Sequence, residues 1–372
     1  MNENHFPSIA NIASYVQNIE TPCLFLSLQE IKNNFCNLSN ALPNVSFYYA
    51  VKANPNEHVI NTLYSVGCKF DISTNTEIDT IKKCNVSPSD CIHTHPIKSI
   101  AEIEYAISSG IKIFTIDNTV ELEKLKPYAD KIELCIRLSI HNEDCRINLS
   151  EKFGVTPSEA PRLILAAHQQ GFEITTLSFH VGSQNENPLK YIEALKQCQK
   201  VEEAISATNI AIKCIDIGGG FPVQYGGDVV EIDDYCNPIK NYITKYFSKK
   251  NILAEPGRYF AASSMCLLAK VKGTSIRQGK PWYYIDDSIY HSFSGKTYDY
   301  CDFPMEHNAQ GAEVESTIAG ATCDSYDIIK RDILLPALAV GDYLLFKQMG
   351  AYCSASASYF NGYSPTRIQV IT

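Results

Sequence analysis

Residues 46–53 read SFYYAVKA, the first of eight apolar runs that alternate with amphipathic stretches as far as about residue 260. The later runs are KFDIST (69–74), CIHTHP (91–96), KIFTID (112–117), KIELCIRL (131–138), TTLSFHV (175–181), KCIDIGGG (213–220) and NILAEPGR (251–258). Runs that are apolar throughout predict buried strands of a parallel sheet. The stretches between them have apolar residues three and four apart and predict helices, as at 57–66, 100–110, 161–171 and 189–206.

Eight strand–helix units in about 220 residues match the size of one closed (β/α)8 barrel, or TIM barrel, and this is the α/β fold that we predict. An open doubly wound sheet is the alternative. In a barrel all strands end at one mouth, where the catalytic residues of this architecture lie. The residues at the predicted strand ends would converge there: Lys52, Asp71, Arg137, His180, Gly218, Gly219, Gly220, Glu255 and Arg258.

After Tyr259 the pattern changes to short alternating runs, which are typical of a β domain. These runs are SMCLLAKVKGTSI (264–276), KPWYYIDD (280–287), VESTIAG (314–320), DYLLFKQMG (342–350) and TRIQVIT (366–372). The strand-like TPCLFLSL (21–28) could join them before the chain enters the barrel. We therefore predict a barrel domain over 28–264, and a sandwich-like or barrel-like β domain formed by 1–27 and 265–372.

Composition narrows the function classes. The formal net charge is −9 and there is no basic run, which argues against nucleic-acid binding and favours a cationic ligand. No stretch approaches the length of a membrane-spanning helix, and the start lacks the pattern of a signal peptide. The 14 cysteines are scattered without CxxC pairs, which predicts reduced thiols in a cytoplasmic protein.

The strand-end lysine suggests covalent chemistry. A lysine in this position is usually a solvated cap, but Lys52 lies within the aromatic run YYAVKAN. A lysine buried among aromatic side chains has its charged form disfavoured, and this suits it to Schiff-base formation with an aldehyde.

The other strand-end residues suggest a phosphate and a ring. Gly218, Gly219 and Gly220 could form a simple tight turn, yet the bare amides after the seventh strand of a barrel are also where such barrels bind phosphate. Glu255 and Arg258 could form a surface ion pair, and His180 (in SFHVGS) could be a buried structural histidine. In a barrel mouth, however, Arg258 and the Ser183 hydroxyl can reach the phosphate, His180 can stack on a planar cofactor, and Glu255 can bind a protonated ring nitrogen. Pyridoxal 5′-phosphate has an aldehyde, a phosphate and a pyridine nitrogen. The predicted site offers a lysine amine for the aldehyde, glycine amides with an arginine for the phosphate, and a carboxylate for the nitrogen, so together these groups predict this cofactor.

Seven motifs, in order, resemble those of the ornithine/diaminopimelate/arginine decarboxylase family, whose members share an alanine-racemase-type barrel and a C-terminal β domain. The motifs are YYAVKAN around Lys52, FDISTNTEI around Asp71, SFHVGS around His180, DIGGGFP at Gly218–Gly220, AEPGRY at Glu255, CDSYD at Cys323 and MGAY at Tyr352. The resemblance covers almost the whole chain. It is strongest to the ornithine and lysine decarboxylases, which have Asp rather than Glu after the cysteine of CDSYD.

The resemblance implies a site and an assembly. Its catalytic residues would be Lys52 as the Schiff-base lysine, His180 stacked on the ring, Glu255 at the pyridine nitrogen and Cys323 as proton donor. The phosphate would be bound by Ser183, Gly218, Gly219, Gly220, Gly257, Arg258 and Tyr352, while Asp71, Glu77 and Arg137 line the pocket. The substrate would be bound by Tyr298, Asp299, Asp324 and Phe360. Family members are homodimers in which the segment carrying Cys323 and Asp324 completes the partner's site, so the resemblance implies shared active sites.

The resulting hypothesis is a pyridoxal-phosphate-dependent decarboxylase that converts L-ornithine to putrescine, and also accepts lysine. The chain departs from the family at Ser288 and His291, which flank the pocket tyrosine where glycines are usual, and at His95-Pro96, where the family has Asn-Pro. A modified or carrier-bound diamino acid therefore remains an alternative substrate, and His291 could instead be an exposed loop histidine. A catalytically inactive regulatory homologue and a racemase are two further alternatives, and Glu255 argues against the racemase. We predict no metal, because His93 and His95 lack an evident third ligand.

Overall fold

The computed structural model describes residues 6, 19–142, 145, 147, 149–226 and 230–371 of the 372-residue chain. Much of the segment 1–27, which we assigned to the β domain, lies outside the described residues, namely 1–5 and 7–18. The chain divides into two compact units, one formed by Lys32–Pro222 and Val229–Tyr259, the other by Met1–Ile31, Val223–Asp228 and Phe260–Thr372. The first described elements are strand β1 (Cys23–Ser27) and helix α1 (Leu28–Ala41).

Parallel strands form a closed barrel in the unit of Lys32–Pro222 and Val229–Tyr259. They are β2 (Val45–Ala50), β3 (Lys69–Ile72), β4 (Cys91–His93), β5 (Ile113–Ile116), β6 (Glu133–Leu138), β7 (Glu173–Phe179), β8 (Cys214–Asp216) and β9 (Asn251–Ala254). Each strand pairs with the next, and β9 pairs with β2 through Val45 and Ile252. This closure confirms the predicted (β/α)8 barrel and excludes the open doubly wound sheet.

Helices follow the barrel strands, as the spacing of apolar residues predicts. They are α2 (Glu57–Ser65), α3 (Asn75–Lys83), α4 (Ile100–Ser108), α5 (Thr119–Leu125), α6 (Ala160–Gln169), α7 (Leu189–Ile205), α8 (Ile232–Tyr246) and α9 (Arg258–Ala261). Side-chain caps mark where several of them begin. The Asn56 side chain accepts a hydrogen bond from the backbone N–H of His58, and Ser99 and Glu102 form a reciprocal capping box at the start of α4.

The second unit is built on one mixed sheet. Besides β1 it contains β10 (Met265–Arg277), β11 (Lys280–Ile285), β12 (Met305–His307), β13 (Val314–Ala319), β14 (Ile328–Leu335), β15 (Tyr343–Phe346) and β16 (Arg367–Ile371), with the short helix α10 (Gly295–Tyr298) between β11 and β12. Strand β1 lies between β10, to which it is antiparallel, and β16, to which it is parallel. The predicted joining of the N-terminal strand to the C-terminal β domain is therefore confirmed. Strands β12 and β14 were not predicted.

A buried histidine ends one of the barrel strands. His93, the last residue of β4, is 1% exposed, and its ring stacks on Phe114 of β5 at a centroid distance of 5.5 Å. Neither ring nitrogen has a hydrogen-bond partner among the described residues. Burial, with a smaller contribution from the Lys98 ammonium, lowers the pKa of His93 to about 3. The imidazole is therefore neutral in the folded protein at neutral pH.

This histidine should make the barrel sensitive to acid. Because the pKa of His93 is lower in the folded than in the unfolded chain, the unfolded chain binds more protons below about pH 6.5. Stability should then fall as the pH drops from 6.5 towards 3, at a cost of roughly 2 kcal/mol by pH 5. His93→Phe keeps the stacking and removes the titration, so its free energy of unfolding at pH 5 should exceed that of the wild type by a similar amount. Urea denaturation at pH 5 and pH 7.5 tests this, with the exposed His168→Phe as control. An equal pH dependence in wild type and His93→Phe would contradict it.

Candidate active site

Lys52 projects at the mouth of the barrel. It lies in a single 3₁₀ turn (Val51–Ala53) directly after β2, and its Nζ forms an ion pair with Oδ2 of Asp71 at 3.0 Å. The lysine side chain is 49% exposed. The prediction that Lys52 is buried among aromatic residues is therefore wrong, because Tyr48 and Tyr49 are buried within the strand while the turn after it carries the lysine out. The amine is held by a carboxylate and remains accessible to a ligand.

A hydrogen bond from a neighbouring strand end fixes the Asp71 carboxylate. Asp71 lies on β3 and is 1% exposed, and its Oδ1 accepts a hydrogen bond from the Thr94 hydroxyl, which the sequence analysis did not identify. Nearby, Oε2 of Glu77 accepts a hydrogen bond from the backbone N–H of Ser73 at 2.6 Å. Burial raises the pKa of Glu77, and the charge of Asp71 adds to that rise. The bond from Thr94 therefore holds the Asp71 carboxylate in place beside Lys52.

A pair of carboxyl groups lies deeper in the mouth. Asp216 ends β8 and Glu255 directly follows β9, the neighbouring strand, and their carboxyl groups interact with each other. Burial raises the pKa of Asp216 to about 7 and raises that of Glu255 well above its usual range, with the Asp216 charge as the next cause. Two carboxylates in contact cannot both ionise easily, so the pair retains a proton at neutral pH, and we assign that proton to Glu255.

His180 follows β7 and is neutral. Its Nδ1 accepts a hydrogen bond from the backbone N–H of Gly182 at 2.9 Å, which leaves Nε2 as the protonated nitrogen. Burial, with smaller contributions from the charges of Arg137 and Lys52, lowers its pKa to about 3. Arg137 itself lies near the end of β6, 5.4 Å from the centre of the Phe153 ring. His180 therefore presents a flat, uncharged ring at the mouth.

The glycine run after β8 makes a turn that no larger residue could form. Gly218 and Gly220 have φ of +67° and +108°, in the region that favours glycine. A Cβ at Gly219 would lie 2.6 Å from the Glu255 carbonyl oxygen, and one at Gly220 would lie 2.4 Å from the Gly182 carbonyl oxygen. The hydroxyl of Tyr191, another residue not identified from sequence, donates to the Gly219 carbonyl at 2.9 Å. The turn thus brings bare backbone against Glu255 and the segment that follows His180.

The remaining predicted phosphate ligands of the barrel unit flank this turn. The backbone N–H of Ser183 donates to the Ile147 carbonyl at 3.2 Å, which ties its segment down beside Gly182. Gly257 is buried, and Arg258, which begins α9, is 6% exposed. We call Lys52, Asp71, Arg137, His180, Asp216, Gly218–Gly220, Glu255 and Arg258 the mouth cluster. An accessible amine, a carboxyl that retains a proton, a neutral ring and a glycine turn fit the aldehyde, ring nitrogen, ring face and phosphate of pyridoxal 5′-phosphate.

In the other unit, Cys323 and Asp324 lie on one loop with Phe360 beside it. Cys323 is exposed, and its backbone N–H donates to Oδ1 of Asn361 at 3.0 Å. The Asp324 carboxylate accepts hydrogen bonds from the Tyr290 hydroxyl and from the backbone N–H of Tyr326. The bond from Tyr290 holds the pKa of Asp324 below its usual range, so the carboxylate is ionised. The Tyr290 ring also stacks on Phe360 at 4.2 Å, which brings the predicted proton donor and two predicted substrate ligands together.

A second aspartate shapes that loop. The Asp327 carboxylate accepts hydrogen bonds from the backbone N–H of Ile289 (3.0 Å), the backbone N–H of Thr322 (3.0 Å) and the Thr322 hydroxyl (2.6 Å). A Cβ at Gly320 would lie 2.1 Å from this carboxylate. Neither Asp327 nor Gly320 was predicted to belong to the site, although Asp327 is the second aspartate of CDSYD. The buried Asp327 therefore sets the path of the backbone that carries Cys323 and Asp324.

Two further predicted residues meet at the Tyr352 turn. Tyr352 has a φ of +55°, and its carbonyl accepts a hydrogen bond from the Tyr298 hydroxyl at 2.7 Å. Tyr298 therefore supports the backbone of Tyr352. Asp299, which follows α10, is 5% exposed and lies near the Cys301 thiol.

Two of the departures from the family pattern, Ser288 and His291, are buried. Ser288 is fully buried and His291 is 3% exposed, so the alternative of an exposed loop histidine is wrong. The His291 ring lies 5.7 Å from the ring of Tyr363, whose hydroxyl donates to the Ala321 carbonyl at 3.2 Å. His291 thus packs behind the loop that bears Cys323.

The described residues contain neither a candidate membrane-spanning helix nor a candidate metal site. No helix in the described part of the chain is long and apolar enough to cross a membrane. Among the same residues, no three His, Cys, Asp or Glu side chains are grouped so that they could hold a metal ion.

Comparisons with known proteins agree with this geometry. A family model described as "Pyridoxal-dependent decarboxylase, pyridoxal binding domain" matches residues 28–262. The lysine/ornithine decarboxylase of Selenomonas ruminantium is 32% identical over 360 residues, covering 96% of this chain and 92% of that protein. Antizyme inhibitor 2 of Xenopus laevis is 32% identical over 346 residues, covering 88% of this chain and 76% of that protein. The structure of lysine/ornithine decarboxylase from Vibrio vulnificus complexed with cadaverine has a TM-score of 0.93 and 39% identity, covering 98% of this chain and 100% of that chain.

Proposed function

The chain belongs to the pyridoxal-dependent decarboxylase family and acts on basic amino acids, and we propose that its preferred substrate is L-ornithine, which it converts to putrescine. Lysine is proposed as a second substrate. The observation that carries this proposal is the ionised Asp324 carboxylate, which accepts a hydrogen bond from Tyr290, whose ring stacks on Phe360, because such a group suits the distal ammonium of a diamino acid. The names of the Selenomonas and Vibrio relatives, each a lysine/ornithine decarboxylase, support the same substrate class.

The mouth cluster supplies binding and orientation. When bound, pyridoxal 5′-phosphate provides the electron sink for the electron pair that departing CO2 leaves on the α carbon. Lys52 offers the amine that an aldehyde cofactor requires, and Asp71 keeps that amine in place. His180 presents its neutral ring to the cofactor's face, and Glu255 holds a proton where the ring nitrogen would lie. The glycine turn, Ser183, Gly257, Arg258 and Tyr352 are proposed to bind the phosphate.

The loop of Cys323 and Asp324 is proposed to act on the substrate. The Cys323 thiol would deliver a proton to the α carbon after CO2 leaves, while Asp324 and Asp299 bind the distal ammonium beside Phe360 and Tyr298. The contacts of Asn361 and Asp327 hold the loop in one conformation, as proton delivery to a single carbon requires.

The assembly and location are also proposals. We infer a homodimer in which each chain's Cys323 loop completes the other chain's site, as the family resemblance implies. A cytoplasmic location fits the 14 cysteines, none of which forms a disulfide in the described part of the chain. Gel filtration with light scattering, and fractionation of the producing cells, would test the two inferences separately.

A modified or carrier-bound diamino acid is the second candidate substrate. It is favoured by the buried His291 and Ser288, which flank Tyr290 where the family usually has glycines. His291 packs on Tyr363 behind the Cys323 loop and so could alter the shape of the substrate end of the site.

The substrate proposal is tested with a panel of amino acids. Purified, cofactor-loaded protein is assayed for CO2 release from L- and D-ornithine, L-lysine, L-arginine, 2,4-diaminobutyrate and meso-diaminopimelate, with the amine products identified by mass. We expect the highest kcat/KM for L-ornithine, roughly tenfold or more above L-lysine, because one methylene changes binding by about 1–3 kcal/mol. If another amino acid of the panel gives a higher kcat/KM, that amino acid replaces L-ornithine as the proposed preferred substrate. No turnover of any member by a protein that binds the cofactor would favour the modified substrate.

A further inference from the structure

Asp216 is a buried acid that the proposed chemistry leaves without a task. It is 1% exposed, ends β8, and lies in the barrel interior rather than at its surface. Its Oδ1 accepts a hydrogen bond from the backbone N–H of Gly218 at 2.8 Å, and its carboxyl contacts that of Glu255. If Asp216 only closed this turn, asparagine or serine could do the same at a lower desolvation cost. The ionisable side chain at this position therefore needs another explanation.

The backbone holds the two carboxyl groups in a fixed relation. Strands β8 and β9 are adjacent, with Asp216 opposite Leu253, and the backbone N–H of Ile217 donates to the Leu253 carbonyl at 2.9 Å. The backbone N–H of Glu255 donates to the Gly218 carbonyl at 2.8 Å. The same glycine therefore binds Asp216 through its N–H and Glu255 through its carbonyl. The backbone of the barrel therefore places the two residues next to each other.

The charges that surround the pair favour one shared proton. The charged groups that act on it are Lys52 after β2, Asp71 on β3 and Arg137 on β6. The other titratable groups near it are uncharged at neutral pH, namely Tyr48 on β2, Cys135 on β6, His180 after β7, Cys198 on α7 and Cys214 on β8. Two cations, Lys52 and Arg137, then face three acids, Asp71, Asp216 and Glu255. One proton on the Asp216–Glu255 pair balances this charge.

We propose that Asp216 is a positioning residue that keeps a proton on Glu255 and delivers it, through Glu255, to the ring nitrogen of pyridoxal 5′-phosphate. The inference rests on the proposed function, which places Glu255 at that nitrogen. In the transfer, the O–H bond of Glu255 breaks and an N–H bond forms at the ring nitrogen. Glu255 becomes a carboxylate beside the ionised Asp216, and the two negative charges together stabilise the new pyridinium.

Asp216→Asn is the decisive variant, because asparagine can still accept the bond from Gly218 but carries no charge. In this variant Glu255 should be ionised before the cofactor arrives. Binding of pyridoxal phosphate, measured by titration calorimetry in buffers of different ionisation enthalpy, should then take up about one more proton per chain than in the wild type. The pH above which cofactor affinity declines should also fall by about one unit, since a neighbouring charge has been lost.

Two variants separate this proposal from its alternatives. Ser178→Ala removes a buried hydroxyl from β7, next to Asp216 in the barrel, without a change of charge, and should leave the proton count and the pH limit as in the wild type. Glu255→Gln should weaken cofactor binding, and wild-type affinity and pH profile in that variant would overturn the placement of Glu255 itself. An impaired Glu255→Gln together with an unchanged proton count in Asp216→Asn would overturn the Asp216 proposal alone. An equal loss of affinity at every pH in Asp216→Asn would also overturn it, since that is the result of a purely structural defect.

A measurement on the wild type keeps the proposal testable even if Asp216→Asn does not fold. Infrared difference spectra of the full-length, cofactor-free chain at neutral pH should contain the C=O stretch of a protonated carboxyl group. That band should be missing in Glu255→Gln and should disappear from the wild type when pyridoxal phosphate binds. Absence of the band from the wild type would overturn the proposal.

Discussion

Replacing Lys52 with alanine is expected to abolish covalent attachment of pyridoxal phosphate and to lower kcat by at least roughly a thousandfold, about 4 kcal/mol in activation free energy. Lys52 is the amine of the mouth cluster that is both accessible and held in place, by the ion pair of 3.0 Å with Asp71. Without it the aldehyde has no partner in the mouth cluster with which to form a Schiff base. Absorbance spectroscopy of the cofactor-loaded protein, with borohydride reduction and mass analysis of the labelled peptide, would measure attachment beside turnover.

Two lysine variants make that result specific. Lys52→Arg keeps a cation beside Asp71 but has no amine able to condense with an aldehyde at neutral pH, so it should be as inactive as Lys52→Ala. Lys69→Ala is the matched control, because Lys69 lies at the opposite end of the barrel strands, at the start of β3, and forms an ion pair with Asp90. It should keep both the cofactor spectrum and the turnover. Wild-type turnover in Lys52→Ala would refute the assignment of this lysine.

The barrel could be predicted from the sequence because its strands are buried on both faces. The run KIELCIRL at 131–138 contains the whole of β6 (Glu133–Leu138), since parallel strands covered by helices stay largely apolar along their length. The run at 213–220 extends beyond β8 because glycines with positive φ leave the strand at Gly218. Strands β12 and β14 were missed because both lie at the ends of the main sheet path, and the charges of IIKRDILL hide its apolar face, as is common at sheet edges.

A residue of the candidate site could be predicted from sequence where its position at the end of its own strand is enough to place it in the site. Barrel topology alone brings Lys52, Asp71, His180 and Glu255 to one mouth, so these could be named from the strand ends. The exposure of Lys52 could not be predicted, because it depends on a three-residue turn after β2 rather than on the aromatic residues around it in the sequence.

Residues that act on other residues were harder to find. Asp216, in the run KCIDIGGG, was not identified as a site residue. An acid in an otherwise apolar buried strand does require a partner, and this was the signal that could have identified it. The bond from Tyr290 to Asp324 joins residues 34 positions apart, and the bond between Cys323 and Asn361 joins residues 38 apart. Contacts at such separations are set by tertiary packing, which no local pattern encodes.

Mixing two inactive variants is expected to restore activity if the active sites are shared between chains. Lys52→Ala damages the barrel's contribution and Asp324→Ala damages that of the Cys323 loop, so homodimers of either variant have two defective sites. A mixed dimer has one site with both defects and one with neither. Random association of equal amounts should give mixed dimers in about half of the population, and therefore about one quarter of wild-type kcat per chain. The measurement is turnover of L-ornithine after co-expression of the two chains with different affinity tags.

The matched control mixes two variants of the barrel. In a dimer of Lys52→Ala with Glu255→Ala every site keeps one defect, so this pair should stay as inactive as its parts, whether or not the chains associate. Recovery in the first mixture but not in the second can arise only if Lys52 of one chain works with Asp324 of another. If each active site lay within a single chain, the turnover of both mixtures would equal the sum of the turnovers of the two parent variants. That result would overturn the shared-site dimer and would leave the decarboxylase chemistry intact. The two mixtures together therefore separate how the chains assemble from what they catalyse.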